Sequence, residues 1–307
     1  MSILVVGSVA FDSVVTPFGK TERAVGGAAT YFSVAASFFV PVQLVAVVGD
    51  DFTEREMQVF ANRPIDLEGL SRVPGGKTFF WSGEYGFDLN AAQTRDTQLN
   101  VFADFKPILP EDYRTPDVLF LANIAPELQL DVLRQTKRPR LVALDTMNYW
   151  ISSAKPALQR VLREVDLLVI NEGEARQLTG EVNLVKAARA IHDMGPDGLV
   201  VKRGEYGCLL MRGDNIFSAP AYPLETVFDP TGAGDTFAGG FIGYLASCGE
   251  LSEANYRRAI VYGSVLASFN VEAFSLDRLL TLTRAEIDQR YKAMRALTNF
   301  EELIEMK

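Results

Sequence analysis

The sequence predicts an α/β fold with a doubly wound, mostly parallel sheet that is flanked by helices. Three features indicate it: short apolar strand-like runs, helix-like segments between them, and a length of 307 residues. The predicted strands are Ile3–Val6, Val42–Val48, Val118–Leu121, Leu141–Leu144, Leu167–Ile170, Leu199–Val201 and Cys208–Met211. The later helix-like segments are Glu127–Gln135, Lys155–Glu164, Leu184–Met194 and Asn255–Phe269.

Composition is that of an ordinary soluble globular protein, since 48% of the residues are hydrophobic and 22% are charged. A net charge of −9 argues against a nucleic acid or an anionic membrane as partner. Two cysteines, Cys208 and Cys248, and one histidine, His192, are too few for a structural zinc site or a Ser/His/Asp triad. No signal peptide is recognisable, and no apolar run reaches the roughly 18 residues of a membrane span. We therefore expect a cytoplasmic protein.

The stretch Asp229–Gly240, which reads DPTGAGDTFAGG, predicts an anion site beside a carboxylate. Its Asp-Pro pair and glycines form a turn, and an apolar helical run follows, so Asp235 lies near a helix N-terminus. Unpaired amides and the helix dipole favour an anion at such an end. A carboxylate there suits proton abstraction during phosphoryl transfer, whereas the simpler interpretation is a helix N-cap.

Three glycines inside the same predicted helix, Gly239, Gly240 and Gly243, indicate a close approach of another backbone. Glycine costs about 1 kcal/mol relative to alanine at each such position, so packing is expected to offset that cost.

The whole string resembles the C-terminal signature of the ribokinase (PfkB) family of carbohydrate and nucleoside kinases. The resemblance implies that the amides of Gly232, Ala233 and Gly234 form the anion hole and that Asp235 is the catalytic base. It further implies ATP and Mg²⁺ as cofactors, and a monovalent cation such as K⁺ near Asp229.

The resemblance extends to the side of the site that binds the phosphoryl acceptor. In GSVAFD, Asp12 matches the family carboxylate that holds substrate hydroxyls, with a turn residue as the alternative. The pair Gly26-Gly27 resembles the family motif GGAxxN, in which the glycines abut the substrate. Tyr31 stands where many sugar-specific members have Asn, and we expect it either to stack on a substrate ring or to face the core.

On the nucleotide side, Asn171 and Glu174 resemble the family motif NxxE, which organises Mg²⁺ and phosphates largely through water. The alternative is a capped helix with Glu in its first turn. The stretch Val200–Gly207 resembles VTxGxxG, which borders the nucleotide, and Lys202 is placed to meet a phosphate. The resemblance assigns nucleotide contacts to Asn171, Glu174, Lys202, Gly204, Gly207, Thr231, Gly232, Gly234 and Asn270.

Residues 1–307 are predicted to form a single kinase domain with lid segments inserted at about 12–24 and 72–106. Within them, Lys77–Glu84 and Gln98–Phe102 have strand-like residues with polar interruptions, which is typical of an exposed sheet. The family has a small β lid at this place, and the resemblance implies a homodimer formed through it. Arg95 is expected either to reach the substrate or to be solvated.

Together these features predict an ATP-dependent small-molecule kinase that phosphorylates a hydroxyl of a sugar or sugar-like substrate. Nucleoside and inositol kinases of the same fold are alternatives, as is a catalytically inactive sugar- or nucleotide-binding regulator. The absence of a GxGxxG motif after the first strand argues against a nicotinamide-dependent oxidoreductase. Gly7–Asp12, Gly26–Tyr31 and Asp145–Asn148 contain no Arg or Lys, so we predict a neutral polyol, sugar or nucleoside rather than a sugar phosphate.

Overall fold

Buried apolar segments form the strands of a large central sheet in the computed structural model, which describes residues 1–301. In that range the strands are β1 (Ile3–Val6), β2 (Ala10–Thr16), β3 (Gly19–Gly26), β4 (Val42–Gly49), β5 (Ile65–Asp66), β6 (Leu70–Val73), β7 (Phe79–Tyr85), β8 (Ala92–Gln98), β9 (Val118–Leu121), β10 (Leu141–Asp145), β11 (Leu167–Asn171), β12 (Gly198–Lys202), β13 (Cys208–Arg212) and β14 (Asn215–Ala219). The α-helices are α1 (Ala28–Ala36), α2 (Glu54–Met57), α3 (Pro126–Gln135), α4 (Asn148–Ser153), α5 (Lys155–Leu162), α6 (Glu172–Thr179), α7 (Leu184–His192), α8 (Ala233–Ser247), α9 (Glu253–Asn270), α10 (Asp277–Thr281) and α11 (Arg284–Leu297).

The central sheet has the strand order β14-β13-β12-β11-β10-β9-β1-β4-β5, and β6 also pairs with β4. Neighbouring strands from β12 to β5 are parallel, whereas β12, β13 and β14 are antiparallel to one another. Successive strand residues face opposite sides: Val5 belongs to the core with α1, α8 and α9, and Val6 to the core with α3, α5 and α7. The predicted doubly wound, mostly parallel sheet flanked by helices is confirmed.

The predicted strands and helices of the central layers agree with the structure to within one or two residues at their ends. In the lid, the segment Gln98–Phe102 was predicted to be strand-like, and this prediction is wrong for most of its length. The strand β8 ends at Gln98, and residues 100–104 form a short 3-10 helix. Every residue of β8 is exposed and its sequence is polar on both faces, so no hydrophobic alternation identifies it. Among residues 1–301, the helices are too short or too polar to cross a membrane.

A second sheet, with the order β3-β2-β7-β8, forms the lid. β2 and β7 are parallel, and β3 and β8 pair antiparallel at the two edges. β6 belongs instead to the central sheet, where Leu70–Val73 pairs with β4. Because β2 follows β1 directly, Asp12 lies in the lid sheet at the point where the lid leaves the carboxyl end of the central strands.

Helix α8 packs closely against both α1 and α9. The three glycines that the sequence analysis identified in α8 make this close packing possible. A β-carbon on Gly239 would overlap the carbonyl oxygen of Phe32 in α1, and one on Gly240 would lie 3.0 Å from the carbonyl oxygen of Tyr262 in α9. A β-carbon on Gly243 would lie 2.9 Å from the α-carbon of Ala36. The predicted close backbone approach is therefore confirmed, and it fixes the position of the N-terminus of α8.

Candidate active site

The turn before α8, residues 229–234, presents backbone amides toward the space between the central sheet and the lid. We call this segment the anion turn. Gly232 is the N-cap residue, and its φ of 73° is left-handed, which favours glycine. The amide of Ala233 donates to the carbonyl oxygen of Pro230 over 3.2 Å, whereas the amides of Gly232 and Gly234 find no backbone acceptor in the described range. Two of the three predicted amides are therefore available to an anion in this structure.

Asp235 lies in the first turn of α8, and its side chain makes no capping hydrogen bond because Gly232 occupies the cap position. The N-cap interpretation of Asp235 is therefore wrong. Burial raises the pKa of Asp235 to about 7, and the Asp145 and Glu174 carboxylates act in the same direction while Lys202 opposes them. A carboxylate with a pKa near neutrality is suited to accept a proton from a hydroxyl group.

Lys202, at the end of β12, is the cation beside this turn. Its Nζ lies 3.4 Å from Oδ2 of Asp145, at the end of β10, and Asp145 is buried. A β-carbon on Gly234 would lie 2.9 Å from the same Nζ, so the ammonium group adjoins the turn. Lys202 can therefore contact a phosphate held by the amides of α8 while it offsets the charge of Asp145.

Asn171 and Glu174 form a capping box at the start of α6. Oδ1 of Asn171 accepts from the amide of Glu174 over 2.8 Å, and Oε2 of Glu174 accepts from the amide of Asn171 over 2.9 Å. Burial raises the pKa of Glu174, and Lys202 opposes that shift. Asn171 and Glu174 therefore cap α6, as the alternative interpretation predicted. The same capping box holds the Glu174 carboxylate near Lys202.

Asn171 and Glu174 suit Mg²⁺ only if the triphosphate and water supply most of the metal ligands. Within residues 1–301, no group of three or more His, Cys, Asp or Glu side chains could enclose a metal ion. A single carboxylate, Glu174, suits Mg²⁺ that is held mainly by triphosphate oxygens and water, because this ion retains several waters. Bound there, the metal would neutralise phosphate charge.

On the acceptor side, Asp12 lies against the Gly26-Gly27 pair that precedes α1. A β-carbon on Gly26 would overlap the Asp12 carboxylate, and the amide of Gly27 donates to that carboxylate. Gly27 has a φ of 95°, and a β-carbon there would lie 2.5 Å from the carbonyl oxygen of Ser8. Burial raises the pKa of Asp12 to about 7, with contributions from Asp229 and Asp235. Sterics therefore require both glycines beside this carboxylate.

Two predicted ligand contacts are structural instead. The side chain of Tyr31 is 1% exposed, and its ring lies under Gly232, so it offers no face for stacking on a substrate. Asn270 is fully buried, donates from Nδ2 to the carbonyl oxygen of Thr231 over 2.8 Å, and accepts from the Thr236 hydroxyl. In this structure both polar ends of the Asn270 side chain are bonded within the protein, to Thr231 of the turn and to Thr236 of α8, and neither is free for the predicted nucleotide contact.

Asp229 and Thr231 complete the base of this turn. Oδ1 of Asp229 accepts from the amide of Thr231 over 2.9 Å, and Oδ2 accepts from the amide of Ser275 over 3.2 Å. Burial raises the pKa of Asp229. Only 8% of Thr231 is exposed, and its hydroxyl donates to that of Tyr85 in the lid over 3.3 Å. Lid and anion turn are thus in direct contact.

The sequence reasoning missed Trp81, a half-buried lid residue. It is the cross-strand neighbour of Asp12 in β7 and β2. A β-carbon on Gly83 would overlap its indole ring, so the ring lies across that glycine, and its Nε1 donates to the Thr94 hydroxyl over 3.2 Å. A tryptophan within the aromatic-rich run Phe79–Tyr85, in a segment predicted to belong to the lid, was the available signal. The predicted substrate contact of Arg95 is not seen, because its guanidinium pairs with Glu84.

A cavity of about 510 Å³ adjoins the anion turn, and Asp12 is not among its lining residues. It is lined by the predicted nucleotide residues Lys202, Gly204, Gly207 and Gly234. Its further lining, which the sequence analysis did not identify, includes Asp88, Leu89, Asn90, Tyr222, Pro223, Leu224, Val227 and Phe237. A largely apolar chamber that opens beside unpaired amides and a lysine suits a base with a phosphate chain.

Comparisons with known proteins agree with this arrangement. The model of the pfkB family carbohydrate kinases matches residues 2–281. A cytidine kinase of Thermococcus kodakarensis is 32% identical over 248 residues, which cover 79% of this chain and 87% of the relative. An inositol 3-kinase of Arabidopsis thaliana is 25% identical over 303 residues, which cover 94% and 80%.

The same fold occurs in the crystal structure of aminoimidazole riboside kinase from Salmonella enterica, solved with aminoimidazole riboside and an ATP analogue. It has a TM-score of 0.75 and 18% identity, covering 95% of this chain and 100% of that one. Another structural neighbour contains ATP and Mg²⁺.

The chain belongs to the pfkB family of carbohydrate kinases. It is therefore an ATP-dependent phosphotransferase of the sugar and nucleoside kinase class.

The buried carboxylate of Asp12 should lower the stability of the fold at neutral pH. In the folded protein its pKa of about 7 lies well above that of an ordinary aspartate, so the stability contributed by the protonated form is lost as pH rises toward 7. We predict that Asp12→Asn raises Tm relative to the native chain, and that the gain increases from pH 5 to pH 8. Asp96→Asn, which changes an exposed lid carboxylate, is the matched control. A pH-independent difference in thermal unfolding would contradict the prediction.

Proposed function

We propose that this kinase transfers the γ-phosphoryl group of ATP to a ribose hydroxyl of a neutral nucleoside. The observation that carries the proposal is the pairing of two surfaces on the acceptor side, the Asp12 carboxylate and the Trp81 indole, on neighbouring strands of the lid. A carboxylate accepts hydrogen bonds from hydroxyls, and an indole face stacks on a planar ring. The similarity to a cytidine kinase supports the same class of acceptor.

The charges around the acceptor side support a neutral substrate. Asp12 and Asp235 contribute carboxylates there, and a substrate phosphate would be repelled unless cations compensated. The lid arginines are already engaged, since Arg95 pairs with Glu84 and Arg23 pairs with Asp51 over 2.9 Å. Arg72, in the neighbouring strand β6 of the central sheet, donates to the carbonyl oxygen of Gly49 over 3.2 Å. This electrostatic pattern favours hydroxyl groups over phosphate on the acceptor.

In the proposed reaction, Asp235 accepts the proton of the acceptor hydroxyl as that oxygen bonds to the γ-phosphorus. The bond between the γ-phosphorus and the bridging oxygen breaks, and ADP leaves with that oxygen. The amides of Gly232 and Gly234, together with Lys202, would stabilise charge on the transferring group. Asn171 and Glu174 would hold Mg²⁺ with the phosphates, largely through water.

The proposal has three further parts. K⁺ would bind near the buried Asp229 carboxylate and raise activity, which initial rates in KCl and NaCl would test. The exposed face of the lid would form a homodimer, which sedimentation equilibrium would test.

We place the enzyme in the cytoplasm, where ATP is abundant and its cysteines, Cys208 and Cys248, would stay reduced.

Removal of the base should abolish most turnover without unfolding the protein. We predict that Asp235→Asn lowers kcat by roughly 10²–10⁴ while the affinity for ATP is little changed. Because the native carboxylate has a pKa of about 7, kcat/KM of the native enzyme should rise with pH up to that value and then level off. Steady-state kinetics and ATP titration calorimetry are the measurements. Near-native turnover of the variant would exclude Asp235 as the base.

The proposed metal role of Glu174 can be separated from its capping role. Glu56 occupies the same position in the capping box of α2 and serves as the matched control. We predict that Glu174→Gln raises the Mg²⁺ concentration needed for half-maximal activity, with partial recovery at high Mg²⁺, whereas Glu56→Gln does not. A loss of activity that Mg²⁺ does not relieve, with a lowered Tm, would assign Glu174 to capping alone.

The acceptor class can be measured directly. With ATP and Mg²⁺, we expect kcat/KM to be highest for a nucleoside such as cytidine, above ribose, myo-inositol and fructose 6-phosphate. Trp81→Leu should lower kcat/KM by about tenfold for the nucleoside but little for ribose, because stacking on a base contributes about 1–3 kcal/mol. Preference for myo-inositol would favour the alternative indicated by the plant inositol 3-kinase. Preference for fructose 6-phosphate would overturn a neutral acceptor.

A further inference from the structure

Part of the lining of the 510 Å³ cavity comes from the lid. This part is formed by Asp88, Leu89 and Asn90, at the tip of the hairpin that joins β7 to β8. The same hairpin carries Trp81 next to Asp12 on the acceptor side. One hairpin of the lid therefore reaches the acceptor side with its strand and the nucleotide cavity with its tip.

Two contacts hold the hairpin against the nucleotide loops. The hydroxyl of Tyr85, at the end of β7, lies 3.3 Å from the Thr231 hydroxyl in the anion turn. Oδ1 of Asn90 lies 2.7 Å from the position that a β-carbon on Gly204 would occupy, and Gly204 has a φ of 55°. The tip thus contacts the turn before α8 through Tyr85 and lies against the loop of Gly204 through Asn90.

Leu89 has an unusual backbone conformation for its side chain. Its φ is 55°, in the left-handed region, where a leucine costs energy that a glycine would not. Its amide donates to the carbonyl oxygen of Gly86 over 3.2 Å, which closes a tight turn. Leu89 is half-buried in the cavity wall, whereas Phe87 in the same turn is 91% exposed. The strained residue, and not the unstrained aromatic one, faces the cavity.

We propose that Leu89 determines the affinity for the phosphoryl donor, because its side chain closes the apolar chamber that holds the base of the nucleoside triphosphate. The assignment rests on the nucleotide cavity. It does not depend on which acceptor the enzyme phosphorylates.

Leu89→Gly tests the assignment, because glycine adopts the left-handed turn without strain and removes only the side chain. We expect the affinity for ATP, measured by calorimetry without acceptor, to fall about tenfold, the loss that corresponds to one apolar contact. Tm should stay unchanged or rise. The control is Phe87→Gly, which truncates the exposed residue of the same turn and should leave ATP affinity unchanged.

A second variant guards against a folding effect. Leu89→Asn keeps a residue that tolerates the left-handed region but replaces the apolar side chain, so it should weaken ATP binding as well. In kinetics, both variants should raise KM for ATP with kcat changed less than threefold. Unchanged ATP affinity in both variants would overturn the proposal, as would an equal loss in Phe87→Gly. A lowered Tm with native ATP affinity would make Leu89 a purely structural residue.

Discussion

The close packing of α8 between α1 and α9 is the constraint on which the geometry of the active site depends. Gly239 and Gly243 allow contact with the backbone of α1, and the cost of helical glycine, about 1 kcal/mol each, is offset by that contact. Since α1 begins beside Gly27 and α8 beside Gly232, the packing brings two helix N-termini together. Tyr31 fills the gap between them. Gly27 and the turn before α8 thereby lie close to each other.

That placement concentrates negative charge. Asp12, Asp145, Asp229 and Asp235 are all drawn toward the same space, and the pKa of each is raised, with burial as the largest cause. Lys202 is the cation that offsets part of this charge, through Asp145. A fold selected for stability alone would avoid such a cluster, because like charges that lose water repel each other. The electrostatic cost is understandable if the carboxylates accept hydrogen bonds and a proton from the substrate.

Local pattern explains what could be predicted from the sequence. β1 and β9 are wholly buried apolar runs, and the string around Asp235 combines turn, amides and carboxylate within a few residues, so each was recognisable. β8 is exposed and polar, and only its partner β7 makes it a strand. Asn270 binds a turn 39 positions away, and Leu89 meets a cavity built from distant loops. Such roles arise from tertiary contacts, which no local pattern contains.

The contacts around the anion turn also explain why it can act without rearrangement. Asn270 holds the carbonyl of Thr231 from within the core, Asp229 holds its amide, and Tyr85 holds its hydroxyl from the lid. Three groups from three parts of the chain therefore fix one residue immediately before the free amides. Donors that are fixed before the reaction need not reorganise as phosphate charge develops, which is the condition for strong electrostatic stabilisation. One of the three supports, Tyr85, belongs to the lid, so the position of the lid and the geometry of the turn are linked by a direct contact.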